Sequence, residues 1–202
     1  MIMGFFGLPG CGKSTFLAQI AKKYQQKGIK TYCLSSYPVD GCYLLDFDDL
    51  GKYHIENGLI LIDEISLCAD NRNYKDFKNS IKQFFILHRH YNCDIYWFTQ
   101  QYDGVDRKIR ELTTCLYYIR SFGTISLAVR INRFIHVDKE LKEIKVGYKM
   151  SGLFSRLFAF SNKSMRFVFR PKYYGYFDSF EAPKLPDKEF PLFKVSDGLK
   201  GS

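Results

Sequence analysis

Gly7-Leu8-Pro9-Gly10-Cys11-Gly12-Lys13-Ser14 is the stretch of this 202-residue chain from which the rest can be read. Its pattern is Gly-x-x-x-x-Gly-Lys-Ser. Before it runs a short apolar segment with Ile2, Phe5, Phe6 and Leu8, and after it an Ala-, Leu-, Ile-, Lys- and Gln-rich helical segment reaching Lys27-Gly28. Strand, glycine loop and helix in that order are the context in which the pattern forms a phosphate-binding loop. The glycines let Gly7 to Ser14 turn successive N–H groups inward at the positive end of a helix. Lys13 reaches the β and γ phosphates, Ser14 holds Mg²⁺, and Thr15 stands where it can help bind the α phosphate. A ligand-free turn would need neither the lysine nor the hydroxyl.

Outward from the loop, Ile29 to Leu34 reads as a second strand. Leu59-Ile60-Leu61-Ile62 reads as a third, an all-apolar run suited to a parallel strand covered on both faces, and it ends in Asp63-Glu64. Between Tyr74 and Tyr91, Phe77, Ile81, Phe84 and Phe85 recur at helical spacing; Ile95 to Phe98 is then another buried strand, ending in Thr99-Gln100-Gln101. This alternation predicts an α/β fold of the P-loop NTPase type, with a mainly parallel central sheet and helices on both faces. After Gly123 the period drops to two. Ile125, Leu127, Val129 and Ile131 alternate with Ser126, Ala128, Arg130 and Asn132, and a similar pattern runs from Ile144 to Met150. The expectation is a C-terminal antiparallel β extension with one wet, basic face. Phe167, Phe169 and the aromatic run Tyr173 to Phe180 predict a further extended segment packing back on the core. Residues 1–182 then form one domain, with a nucleotide-binding core at 1–123 and a basic β-rich extension at 124–182. Pro183, Pro186 and Pro191 mark 183–202 as a tail or linker.

Composition narrows the function classes. The longest apolar runs, such as Leu59 to Ile62 and Phe84 to Leu87, fall far short of the ~18 residues that cross a bilayer. The first residues lack the basic region and cleavage site of a signal peptide, which predicts a first core strand of a cytosolic protein. Six cysteines without a Cys-x-x-Cys pair predict free thiols and no structural zinc. The net charge of +9 is uneven: residues 1–100 hold 11 Lys and Arg against 10 Asp and Glu, and residues 101–202 hold 19 against 11. A basic half is either a solvated face or a surface for a polyanion, nucleic acid or anionic lipid.

The chemistry follows from the strand ends. Asp63 is placed to anchor Mg²⁺ through water and Glu64 to polarise an attacking water, because a phosphate-bound Mg²⁺ needs a carboxylate on its second side. Gln100 is a candidate γ-phosphate sensor, its alternative being a plain loop amide. Asn162-Lys163-Ser164-Met165 lacks the Asp of a guanine-reading Asn-Lys-x-Asp, which favours ATP. A carboxylate beside the metal ligand favours hydrolysis over phosphoryl transfer to a small molecule, since kinases exclude water. A nucleotide or small-molecule kinase and a nucleotide-gated DNA- or membrane-binding adaptor are the alternatives. Cys11, at a helix N-terminus, is expected to be a reactive thiolate.

Taken together, the phosphate loop, Leu61-Ile62-Asp63-Glu64, His88-Arg89-His90-Tyr91, Asp94-Ile95, Thr99-Gln100-Gln101 with Asp106 to Leu112, and Tyr176-Phe177-Asp178-Ser179-Phe180 resemble the zonula occludens toxin-like family, which includes the filamentous-phage assembly ATPase. The resemblance spans roughly residues 1–182. It implies a P-loop ATPase of the additional-strand, catalytic-glutamate type, near the FtsK/HerA class. It also implies export of single-stranded phage DNA or nucleoprotein at the cytosolic face of the host inner membrane. Members usually continue into one transmembrane helix, and none stands in these 202 residues. The terminal Gly-Ser fits a truncated domain, and the alternative is a member that meets the membrane through a partner. A motor of this class works as a homo-oligomeric ring in which an arginine of the next subunit completes each site. Arg107 and Arg110 are the candidates, their alternative an exposed basic helix face. His88, Arg89 and His90 are candidate interface residues or simply the basic end of a helix.

Overall fold

The computed structural model describes residues 1–35, 38–68, 79–138, 143–150 and 165–177. Among the described residues nine strands form one sheet: β1 (Ile2–Phe6), β2 (Lys30–Leu34), β3 (Tyr43–Leu44), β4 (Gly58–Ile62), β5 (Asp94–Thr99), β6 (Cys115–Phe122), β7 (Ile125–Asp138), β8 (Glu143–Met150) and β9 (Met165–Phe169). The order is β3-β2-β4-β5-β1-β6-β7-β8, with β9 also paired to β7. Strands β3 to β6 along that path are parallel, and β7 runs antiparallel to β6, β8 and β9. The helices are α1 (Lys13–Gln25), α2 (Ile65–Cys68), α3 (Asn79–Leu87) and α4 (Arg107–Leu112). Among the described residues no helix is long and apolar enough to cross a membrane.

Side-chain alternation divides the core in two. Met3, Phe5, Leu59, Leu61, Tyr96, Phe98 and Tyr117 meet Phe16, Leu17 and Ala21 of α1 on one face. Ile2, Ile60, Ile62, Ile95 and Trp97 meet Ile81, Phe84 and Phe85 of α3 and Ile109 of α4 on the other. Both faces of the central strands are therefore dry, which is why β4 is apolar at every position and buried throughout. Gly4 is required by close approach. It pairs with Trp97 across the β1–β5 ladder, and a Cβ there would lie 2.2 Å from the indole.

Three expectations change. The sequence pattern did not single out β6, yet it is the parallel strand that carries the sheet from β1 into the antiparallel part. The β7 face expected to be wet is packed: Ser126 and Ala128 are fully buried, whereas Ile125 on the expected inner face is 45% exposed. The cause is α1 and the loop before it, which cover that face and leave room only for small side chains. Arg170–Tyr176 form a 3₁₀ run instead of an extended segment, with Pro171 in its first turn. Residues 74–78 of the expected helix, Asp178 to Phe180 and the tail at 183–202 lie outside the described residues.

Candidate functional site

β1 delivers the phosphate loop to the N-terminus of α1, whose first turn holds no acidic residue. Gly12 caps the helix with φ +95°, in the left-handed region, and a Cβ there would lie 2.3 Å from Ser126 Oγ. That hydroxyl donates to Cys11 O at 2.7 Å, so β7 braces the loop from the side. Lys13 Nζ reaches back along the loop, donating to Gly7 O at 2.9 Å and Leu8 O at 3.2 Å. Ser14 is half-buried and Thr15 buried, while Leu8, Pro9 and Gly10 form the exposed crest. Cys11 is not the reactive thiol its position suggested: it is buried, and burial pushes its pKa up despite Lys13.

The strand order places one strand, β5, between the loop-bearing β1 and the carboxylate-bearing β4. Asp63 extends β4; its N–H donates to Leu34 O at 2.9 Å, and its Oδ2 accepts from Ser35 Oγ at 3.1 Å. Burial raises its pKa, opposed by the Ser35 hydrogen bond, reinforced by Glu64 and lowered again by Lys13. A hydroxyl at Ser14 and a half-buried carboxylate at Asp63 are hard oxygen donors of the kind Mg²⁺ takes.

Glu64 has a backbone φ of +52°, an uncommon conformation for a residue with a long side chain. Its Oε1 accepts from Ser66 Oγ at 2.5 Å, Thr99 Oγ1 at 2.8 Å and Gln100 N at 3.1 Å. All the hydrogen bonds to this carboxylate among the described residues fall on Oε1, which leaves Oε2 uncommitted. The structure thus brings Gln100 to Glu64 through its backbone N–H, while the residue itself is exposed. Ser66 escaped the sequence reading and Thr99 entered it only as a strand end with no role of its own, although both lie within two residues of Glu64 or Gln100. Ser126 carried no signal at all, because its approach to Cys11 depends on β7 register.

The other expected groups lie apart from the loop. Arg107 is 80% exposed and paired with Glu111 at 2.7 Å. Arg110 donates to Asp103 at 3.3 Å, lies over the Tyr102 ring at 5.2 Å, and has a buried Nε without a partner among the described residues. No described hydrogen bond or ion pair joins either to the phosphate loop. Arg110 also lines a cavity of about 300 Å³ with Tyr102, Thr113, Ile131 and Arg133, on the α3–α4 side of the sheet. Arg130 and Arg133 are three residues apart on β7, so their side chains leave opposite faces. Arg130 is cross-strand from Tyr117, whose pKa burial raises against the opposing charges of Arg166 and Arg130; Arg133 is exposed. His88 is buried, its Nδ1 2.7 Å from Phe85 O and its pKa lowered by burial, so of the His-Arg-His stretch only Arg89 and His90 face solvent.

The fold recurs in solved structures. The N-terminal domain of zonular occludens toxin from Neisseria meningitidis matches with a TM-score of 0.52 at 17% identity, over 77% of this chain and 96% of that one. The genome packaging NTPase B204 from Sulfolobus turreted icosahedral virus 2, solved in complex with AMP, matches with a TM-score of 0.50 at 13% identity, over 72% of this chain and 95% of that one. The same NTPase in complex with AMPPCP gives the same TM-score, identity and coverage. At such identities the likeness establishes the P-loop NTPase fold. No curated protein sequence gives a significant match. The family model described as zonular occludens toxin (Zot) matches residues 17–155, well over half of the chain and beginning just after the phosphate loop. By that match, the chain belongs to the zonular occludens toxin family.

Proposed function

We propose that this chain binds Mg-ATP on the Gly7–Ser14 loop and hydrolyses it. One observation carries the reading: one strand away from Lys13 and Ser14, Asp63 and Glu64 end β4, and Glu64 is held through a single oxygen by three donors. An anchored carboxylate with its second oxygen uncommitted suits a general base that orients water. Lys13 supplies the phosphate cation, Ser14 and Asp63 the metal donors. When bound, Mg²⁺ would neutralise charge on the β and γ phosphates. Asp63, Glu64 and the Gln100 N–H stand together on the β4–β5 side, which defines the hydrolytic side of the site.

In this reading the energy drives assembly of filamentous phage, with extrusion of single-stranded DNA at the host inner membrane. Membership of the zonular occludens toxin family and the excess of Lys and Arg after residue 100 support it. The working unit is a ring of identical subunits, and the exposed Arg107, or Arg110, completes the neighbour's site. The test is phosphate release from Mg-ATP with no acceptor present. Release establishes hydrolysis; transfer only to an added acceptor makes the protein a kinase; tight binding without turnover makes it an adaptor. Single-stranded DNA should stimulate release, with affinity falling at a log–log salt slope of about −0.7 per phosphate contacted. Arg133→Glu should flatten that slope, and an unchanged slope would assign the basic half to lipid or solvent.

A further inference from the structure

The phosphate loop is flanked on its other side by an arginine that the motif does not include. β9 ends at Phe169, paired with Ile125, and the Arg170 N–H donates to Thr124 O at 2.9 Å, which pins Arg170 beside the β6–β7 turn. The 3₁₀ run that follows is tied down near α1: Asp40 N donates to Tyr176 O at 3.1 Å, and Lys22 Nζ lies 4.5 Å from the Tyr176 ring. From this fixed position the Arg170 side chain turns to the loop. Its Nε lies 3.6 Å from where a Cβ on Gly12 would sit, and its charge is felt at the Cys11 thiol.

The guanidinium is poorly satisfied there. Its described hydrogen bond is one of 3.5 Å to Gly123 O; its Nε is buried with no partner among the described residues; and the Tyr174 ring lies 6.0 Å away. It also sits beside the positive end of α1 and in the same loop neighbourhood as Lys13, with no acid in the helix's first turn. A cation is disfavoured at a helix N-terminus, and although Arg170 as a whole is half-buried, its buried Nε carries an unmade bond, which is costly. An anion relieves both, and a guanidinium fork matches a phosphate.

Strand order then says which phosphate. Asp63 and Glu64 follow β4 and Gln100 follows β5, on one side of β1; β6, β7 and β9 lie on the other. A nucleotide whose γ end and metal face Asp63 and Glu64 directs its α end toward the β7–β9 side. We propose that Arg170 is a phosphate ligand of the nucleotide, supplied by the same chain that carries the loop and meeting the α phosphate on the side away from Glu64. This rests on the nucleotide-binding reading above. The contact is made equally before and during γ-phosphate cleavage, so Arg170 contributes affinity and leaves the chemical step unchanged.

The test is titration of fluorescent ADP and ATP analogues, each with Mg²⁺, into wild type, Arg170→Lys, Arg170→Gln and Lys13→Ala, with melting curves taken without nucleotide. Arg170→Gln should weaken ADP and ATP alike, by about tenfold or more, with turnover at saturation within about twofold of wild type. Arg170→Lys keeps the charge without the fork and should fall between. Weakening confined to ATP, or lost turnover at unchanged affinity, overturns the α-phosphate assignment. A lower melting temperature with wild-type affinity shows that Arg170 only braces the β6–β7 turn. If Arg170→Gln does not fold, the conservative Arg170→Lys carries the comparison, and its unchanged affinity for both nucleotides likewise overturns the proposal. Should wild type bind neither analogue and match Lys13→Ala, the nucleotide reading itself fails; wild-type binding with no Arg170 effect sinks the Arg170 assignment alone.

Discussion

Glu64→Gln separates turnover from structure, because the anchoring falls on a single oxygen. Ser66 Oγ, Thr99 Oγ1 and the Gln100 N–H all donate to Glu64 Oε1. A glutamine carbonyl can accept the same three bonds, with the amide nitrogen taking the place of Oε2. The bonds weaken from charge-assisted to neutral, at a cost of about 1–2 kcal/mol in a partly exposed site. Glu64→Ala is the worse probe, since it removes the shared acceptor of three hydrogen bonds and leaves the Thr99 hydroxyl to donate to Gln101 O instead, at 3.1 Å. Loss of a general base costs about 10²–10⁴-fold in rate, or about 3–5 kcal/mol of barrier. Phosphate release at saturating Mg-ATP should therefore fall by at least about 100-fold in Glu64→Gln, while affinity for a fluorescent ATP analogue stays within about twofold. Normal turnover in the variant would remove Glu64 from the mechanism. Lost binding alongside lost turnover would make it a ligand and not a base.

Lys13→Ala should show the opposite pattern in the same titration, losing tight binding of ADP and ATP, since it removes the phosphate cation and two hydrogen bonds that hold the loop; retained affinity would contradict the loop's role. Asp63 titrates higher folded than unfolded because of burial, so its contribution to stability is full below the unfolded value and is lost as pH rises through the folded one. In melting curves without Mg²⁺, Asp63→Asn should thus be more stable than wild type near pH 7.5, the gap closing as pH falls, and Mg²⁺ should stabilise wild type alone; a pH-independent gap would show that desolvation of the carboxylate is not the cause. Cys11, buried with a raised pKa, should react with iodoacetamide far more slowly at pH 7.5 than an exposed thiol, as peptide mass spectrometry can follow. Rapid labelling would mean that the loop opens.

What the sequence made legible was local. The phosphate loop is eight consecutive residues, and β4 and β5 betray burial on both faces by being nearly all apolar. Segments that take their character from neighbours were not legible. β6 reads Cys-Leu-Tyr-Tyr-Ile-Arg-Ser-Phe, with neither period clean, because its first half is buried between β1 and β7 while its end is exposed beyond the loop. β7 alternates as expected, but its polar-looking face is the packed one: Ser126 and Ala128 are small because Gly12 and α1 lie against them. Alternation gives a strand's two faces and not which of them is covered. Likewise Thr99 joins Glu64 only because β4 and β5 pair in register, Ile62 opposite Trp97.

The strand order also divides the labour of the site. On the β4–β5 side stand the groups proposed to act at the γ phosphate: Asp63, Glu64 and the Gln100 N–H. On the β6–β9 side Ser126 holds the loop itself through Cys11 O, and Arg170 lies beside Gly12. Only interactions strengthened in the transition state speed the chemistry, so in the proposed hydrolysis the first side would set the rate and the second the geometry of the loop. β7 belongs to the second side, and it is a single 14-residue strand, about 45 Å of continuous backbone. Its first residues grip the phosphate loop and pair with β6 and β9; its last pair with β8, Ile131 to Asp138 against Glu143 to Met150. β7 thus joins the strand pair at β8 to the hydrogen bond that braces the phosphate loop in one unbroken run of backbone.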